Sequence, residues 1–413
     1  MTALWHPQAH MPSVEGNELV LVRGEGGWVW DREGRRYFDV PASLWYCNIG
    51  HGRRELGDAA AAQMGALESY SCFDRLASVP TLELAERVAE LLPIPDAKIF
   101  FTSGGSDGIE LTAKLVRRYW SALGRPEKQK IVSRDRAYHG LHTYGTAITG
   151  IEIYTEGIGR LISETVRVPA TSIEALARLF EERDSEIAAF FCEPVIGTGG
   201  VIPPPPGYLE EARRLCSVHD VLFVADEVIT GFGRVGAMFG CTRFGLEPDV
   251  MVMAKGITSG YIPLGAVAVG PRVAEPFWRA DSELIFRHGL TYSGHATACA
   301  VALAVLDILE RESIVEQAAA LEPVITEAIA PLASHPLVNE VRSGVGVIAG
   351  VELVDQGVAE RVRNHCLEAG FLMRVITAAT LQISPPLITQ PSEIQAIVDA
   401  IASALDREAV LLD

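Results

Sequence analysis

Short apolar runs punctuate the middle of the chain. KIFFT (98–102), KIVS (130–133), IAAFFCEP (187–194), VLFVAD (221–226), DVMVMA (249–254) and GAVAVG (265–270) are apolar nearly throughout. Runs of four to eight residues without polar alternation are what strands buried on both faces look like. Helical or loop segments separate them, as GIELTAKLVRRYW (108–120) does after KIFFT, and this alternation predicts a mostly parallel, doubly wound α/β sheet. Ahead of it, GGWVWD (26–31) and RRYFDV (35–40) alternate in the manner of a β-hairpin or meander. Beyond Gly294 the pattern turns helical over 296–332, and an α+β unit follows. Its predicted strands are LVNEVRSG (337–344) and VIAGVEL (347–353), its helices GVAERVRNHCLEAG (357–370) and PSEIQAIVDAIASALDRE (391–408).

The 413 residues exceed one ordinary core of ~100–200, so two structural units are expected. With 48% of residues in the AVILMFWYC set and 21% charged, the chain can bury a core and is not a disordered polymer. A formal charge of -18 argues against a nucleic-acid partner, which needs a cationic face. The longest uncharged run near the C-terminal third, His288 to Leu306, is broken by Gly289, Ser293 and Gly294 and does not read as a membrane span. The N-terminal MTALWHPQAHMPS lacks the basic start and apolar core of an export signal, so a cytoplasmic protein is expected. Seven cysteines, without CxxC or Cys/His metal spacing, imply neither a disulfide framework nor a zinc site and are expected to be small buried hydrophobes; no metal is predicted.

Only five of the 35 basic residues are lysines, so a lysine in an apolar setting carries information. Lys255 is such a residue, placed after the run VMVMA and before a Gly/Ser loop. A lysine there can simply reach solvent. Held between apolar segments, it would lose its proton more readily and become a nucleophile near neutral pH. Asp226 ends VLFVAD, and strand-end acids are often only caps or turn formers. The pairing of the two changes the balance, because ligands of parallel sheets sit beyond the strands' carboxyl ends. Pyridoxal phosphate needs this pair: a lysine to condense with its aldehyde and an anion to keep its ring nitrogen protonated. Val228, two residues on, could pack on the ring. The turn SGGSDG (103–108) after KIFFT opens a helix whose N–H groups and Ser106 hydroxyl suit a phosphate. It matches neither GxGxxG nor the P-loop, which argues against an NAD-linked oxidoreductase or an ATP site.

Taken in order, SGGSDGIELTAK (103–114), AYHG (137–140), CEPVIGTGGVIPPPPGY (192–208), VADEVITGFGR (224–234), MAKGITSGYIPLGAV (253–267) and HGLTYSGHA (288–296) resemble the class III pyridoxal-phosphate aminotransferases of fold type I, and within them the ω-aminotransferases or amine:pyruvate transaminases. The resemblance extends over nearly the whole chain. It implies a homodimer whose large domain, about residues 50–295, holds a mostly parallel seven-stranded sheet, with residues 1–49 and 296–413 forming a smaller α+β domain. It implies that Lys255 bonds the cofactor and moves the proton, and that Asp226 bonds the ring nitrogen. Val228 and Tyr138 sandwich the ring, Gly105 and Ser106 bind the phosphate, Thr291 reaches it from the partner subunit, and His139 and Glu193 stand beside the cofactor. Trp45 and Arg374 face the substrate. Without the resemblance, Tyr138 and Trp45 would read as core aromatics, Thr291 as a turn hydroxyl and Arg374 as a solvated charge.

Three positions depart from the family's pattern: Thr198 in place of a glutamate five residues after Glu193, Ile229 in place of glutamine, and Ala296 in place of proline. The first two weigh against ornithine, acetylornithine or γ-aminobutyrate as substrate. The implied reaction is a two-step transfer of an amino group from an amine or ω-amino acid to a pyruvate-like α-keto acid. An aminomutase or racemase on the same fold is the nearest alternative, and a cofactor-free scaffold a more distant one.

Overall fold

A computed structural model describes residues 3–412. Its N-terminal strands β1 (Leu21–Glu25), β2 (Trp28–Asp31) and β3 (Arg36–Asp39) form the expected antiparallel meander. The central sheet contains β4 (Lys98–Thr102), β5 (Lys130–Arg134), β6 (Thr165–Val168), β7 (Ile187–Cys192), β8 (Leu222–Asp226), β9 (Val250–Met253) and β10 (Gly265–Val269), in the order β4-β10-β9-β8-β7-β5-β6. All neighbours pair in parallel except β10, which runs antiparallel to both β4 and β9.

Every residue of β7, β8, β9 and β10 is buried, which is why these segments read as unbroken apolar runs. Alternate side chains serve opposite faces. Val224, Val250, Val252 and Val267 pack with Ile109, Val116 and Trp120 of the helix Gly105–Ala122. Phe223, Met251, Met253 and Ala266 join the larger core, shared with the helix Ala296–Arg311. The strand β6 (TVRV) has no unbroken apolar run to mark it, because Thr165 and Val166 are only half-buried and Arg167 is exposed.

The C-terminal part supplies β11 (Val338–Arg342), β12 (Ala349–Leu353), β13 (Phe371–Leu372), β14 (Arg374–Ile376) and β15 (Thr380–Ile383). β13 extends the N-terminal meander beside β3, while the other four form a sheet of their own. The helical stretch predicted over 296–332 is two helices, Ala296–Arg311 and Ile314–Ile329, divided where Ser313 takes a left-handed backbone (φ 49°). Arg234 ties these parts together: fully buried, it donates to the carbonyls of Val347, Ser384 and Pro385 and to the Asn48 side-chain oxygen.

Candidate active site

The carboxyl ends of the parallel strands converge on a cavity of about 470 Å³. The turn after β4 brings Gly104, Gly105 and Ser106, β5 leads to Tyr138 and His139, β7 to Glu193, β8 to Asp226 and Val228, and β9 to Lys255. The topology thus gathers, within one cavity, every cofactor contact inferred from the sequence except Thr291.

Lys255 starts a single helical turn in a left-handed backbone (φ 48°), a conformation that costs a side-chain-bearing residue about 1–3 kcal/mol and so needs its surroundings to hold it. Burial lowers its amine to about 8, against the opposing pull of the Asp226 and Glu193 carboxylates; the Arg374 charge lowers it further. The neutral, nucleophilic amine is therefore accessible close to neutral pH.

Asp226 is oriented on both sides. Its Oδ2 lies 2.7 Å from His139 Nδ1, and its Oδ1 accepts the Val228 N–H at 3.1 Å. Glu193 is pinned by the Tyr138 and Gly197 N–H groups, at 2.9 and 3.0 Å. Burial pushes its carboxyl above the usual range, His139 opposes that shift, and the nearby Asp226 charge adds to it. Tyr138 meets Tyr154 edge-on at 5.3 Å, and burial holds its phenol above the usual value, so it stays a neutral donor.

These residues fit pyridoxal phosphate. The cavity falls within the ~300–1,000 Å³ of small-molecule sites. Val228 closes on Gly105 so tightly that a Cβ there would lie 2.9 Å from it, which sets the aliphatic side chain against the Gly/Ser turn. Ser106 sits at the start of an 18-residue helix, where N–H groups and the helix dipole favour an anion. A buried, hydrogen-bonded carboxylate and a low-pKa lysine stand in the same space.

The residues implied for the substrate lie elsewhere. Trp45 is 2% exposed and packs with Val195, Val201, Ile229 and Ile376, so the cavity wall at this point is its neighbour Tyr46, whose ring lies against Gly260. Tyr46 was overlooked because two adjacent aromatics give no sequence signal as to which turns inward; the left-handed backbone of Trp45 (φ 70°) decides it. Arg374 lines a second cavity of about 580 Å³, with its charge felt at Lys255, Tyr138 and Tyr154. Thr291 is exposed in the segment before the helix Ala296–Arg311 and does not line the cavity of its own chain. Tyr154, beside Tyr138, had no signal in its surrounding sequence IEIYTE.

The chain matches the aminotransferase class-III family over residues 11–405. It is 37% identical to the putrescine–pyruvate aminotransferase of Pseudomonas aeruginosa, over 96% of this chain and 92% of that one. It is 34% identical to a mitochondrial γ-aminobutyrate transaminase of Oryza sativa subsp. indica, over 95% and 82% of the two. Among solved structures, an (S)-enantioselective ω-transaminase from Thermomicrobium roseum superposes with a TM-score of 0.92 at 40% identity, covering 98% of this chain and 96% of the other. A transaminase from the marine bacterium Virgibacillus reaches a TM-score of 0.95 at 36% identity, covering 100% and 98%. With a lysine and an aspartate at adjacent strand ends, a Gly/Ser turn opening a helix beside them and this match over residues 11–405, the chain belongs to the class III aminotransferases, enzymes that use pyridoxal 5′-phosphate to move an amino group from an amine to a keto acid.

Proposed function

We propose that this enzyme is an ω-transaminase whose donors are primary amines, diamines or ω-amino acids and whose acceptor is a short α-keto acid such as pyruvate. The observation that carries the reading is Arg374: a half-buried guanidinium whose one side-chain hydrogen bond goes to the Gln382 amide at 3.4 Å, not to a carboxylate. Such a cation suits a substrate carboxylate. Thr198, buried and uncharged, leaves it without a fixed acidic partner at that position.

Bound pyridoxal phosphate supplies an aldehyde carbon to take the nitrogen and a ring to hold the electron pair left on the substrate carbon. The protein supplies the rest. The Lys255 amine takes the proton from the donor's carbon in the first half-reaction and returns one in the second. Asp226, steadied by His139, keeps the ring nitrogen protonated; Val228 and Tyr138 flank the ring; Gly105, Ser106 and the helix start hold the phosphate. The donor leaves as an aldehyde or ketone, and the keto acid leaves as an amino acid.

A homodimer belongs to the same reading. Met64, Leu67, Tyr70, Phe73, Leu76 and Leu82 are exposed apolar side chains, and Phe73, Leu76 and Leu82 border, with Ile285, a groove of about 1,010 Å³. A second copy suits a surface of this kind. Thr291, exposed in the same region, would then reach the partner's phosphate. A cytoplasmic location is supported by seven cysteines that are all free thiols, six of them buried and Cys72 half-buried. A donor panel assayed with and without pyruvate tests the function: strict dependence on the keto acid is expected. Turnover of a single substrate without one would replace this reading with an aminomutase or racemase.

A further inference from the structure

β3 ends at Asp39, and the chain then passes through left-handed backbone at Ala42, Ser43 and Trp45 before reaching Cys47 and His51. The turn folds back on itself, so that an Asp39 carboxylate oxygen, the Cys47 sulfur and a His51 ring nitrogen lie within 4.8 Å of one another. Each group is held from behind. Both Asp39 oxygens accept the Ser43 N–H at 2.8 Å, the Cys47 backbone N–H donates to the Ala42 carbonyl at 3.2 Å, and the His51 backbone pairs with Gly26. Cys47 and Asp39 are 1% and 3% exposed, whereas His51 is half-buried. Asp39 and His51 both line the second cavity, the one that Arg374 also borders.

A knot of ordinary hydrogen bonds explains part of this. His51 Nε2 lies 2.8 Å from Asp39 Oδ2, as a neutral imidazole donating to a carboxylate would. It leaves the Cys47 thiol unexplained: among the described residues, the thiol donates no hydrogen bond. Burial, joined by the Asp39 charge, pushes the Cys47 thiol up; the opposing cation nearby is Arg234, a buried guanidinium bonded, among the described residues, to carbonyls and to Asn48.

One sulfur, one imidazole nitrogen and one carboxylate oxygen make a donor set for a borderline-soft divalent ion; magnesium or calcium would take oxygens alone. Around a tetrahedral ion with bonds of ~2.0–2.3 Å, donors stand about 3.3–3.8 Å apart. The separations here, from 2.8 Å to at most 4.8 Å, bracket that range. On binding, the thiol proton would leave to solvent and the imidazole proton would shift to Nδ1, freeing Nε2 as a ligand.

We propose that Asp39, Cys47 and His51 form a three-ligand site for zinc or a similar divalent ion, with its fourth position open to the cavity that Arg374 shares. The seven-cysteine pattern does not announce it, because Cys47 and His51 are four apart in a loop and the third ligand comes from the preceding strand. An ion there would add positive charge beside the residue proposed to hold the keto acid, and so favour its carboxylate and lower the KM for pyruvate. This consequence rests on the proposed function; ion binding itself does not.

Chelator-washed holoenzyme titrated with Zn²⁺ in a calorimeter should bind one ion per chain. Cys47→Ala and His51→Gln should each weaken binding by at least ~10–100-fold while keeping the cofactor spectrum and melting temperature of the parent. Co²⁺ in place of Zn²⁺ should give the long-wavelength visible bands of a low-coordinate thiolate site, clear of the cofactor's absorption and lost in Cys47→Ala. No stoichiometric uptake, or uptake that survives both substitutions and therefore lies at other surface histidines, overturns the site. If the ion binds at Cys47 but leaves the pyruvate KM unchanged, the coupling to Arg374 falls while the site stands.

Discussion

Lys255, Asp226 and Glu193 each end or closely follow a fully buried strand of one sheet, and the two carboxylates are held by hydrogen bonds to groups at the same end of the strands. Arg374 and Tyr46, by contrast, come from opposite ends of the chain, the first from a three-residue strand and the second from the end of a turn that contains left-handed residues. The side proposed to hold the cofactor is built on rigid elements and the side proposed to meet the substrate on short ones. Chemistry common to all aminotransferases needs fixed atoms, whereas a pocket that must admit a carboxylate in one step and an amine in the other tolerates, and can use, parts that move.

Substitutions can test that division. Lys255→Ala should retain cofactor yet lose turnover by about 10⁴-fold, the upper end of what a positioned proton-transfer group contributes. Absorbance at saturating cofactor and steady-state rates check it; retained turnover would remove Lys255 from the chemistry. Asp226→Asn should cost about 10²–10³-fold in kcat, the scale of losing one preorganised electrostatic partner, in both half-reactions alike.

On the substrate side the effect should be unequal. Arg374→Ala should raise the apparent KM for pyruvate by the equivalent of about 2–5 kcal/mol and leave an uncharged monoamine donor much less affected. Single-turnover spectra of each half-reaction separate the two; equal impairment would make Arg374 a structural residue and erase the contrast between the walls. The smallest expected effect is on pH. A lysine lowered to about 8 is increasingly neutral as pH rises toward that value and mostly protonated below it. The rate at which cofactor-free protein captures pyridoxal phosphate covalently should therefore rise about tenfold per unit below that pKa and level off above it. A profile still rising steeply above pH 9 would mean the amine is not desolvated.

Much of this was legible in the amino-acid order. β7 to β10 stood out because a strand covered on both faces must be almost wholly apolar, β4 and β5 through shorter apolar stretches, and Lys255 and Asp226 because charged groups at the ends of such strands break the pattern. The short strands β13 to β15 left no comparable trace; they are two to four residues long, and β13 and β15 rely on β3 and β12, distant in sequence, while β14 pairs with β15. Which of Trp45 and Tyr46 turns into the cavity was decided by backbone dihedrals that several residue types can adopt. The meeting of Asp39 with Cys47 and His51, and the reach of Arg234 to Asn48 and Pro385, likewise exist only once the chain ends have folded onto the central sheet. Periodicity records which faces are buried, a local and repeated demand. The approach of single side chains across long loops is set by packing, and no repeated pattern encodes it.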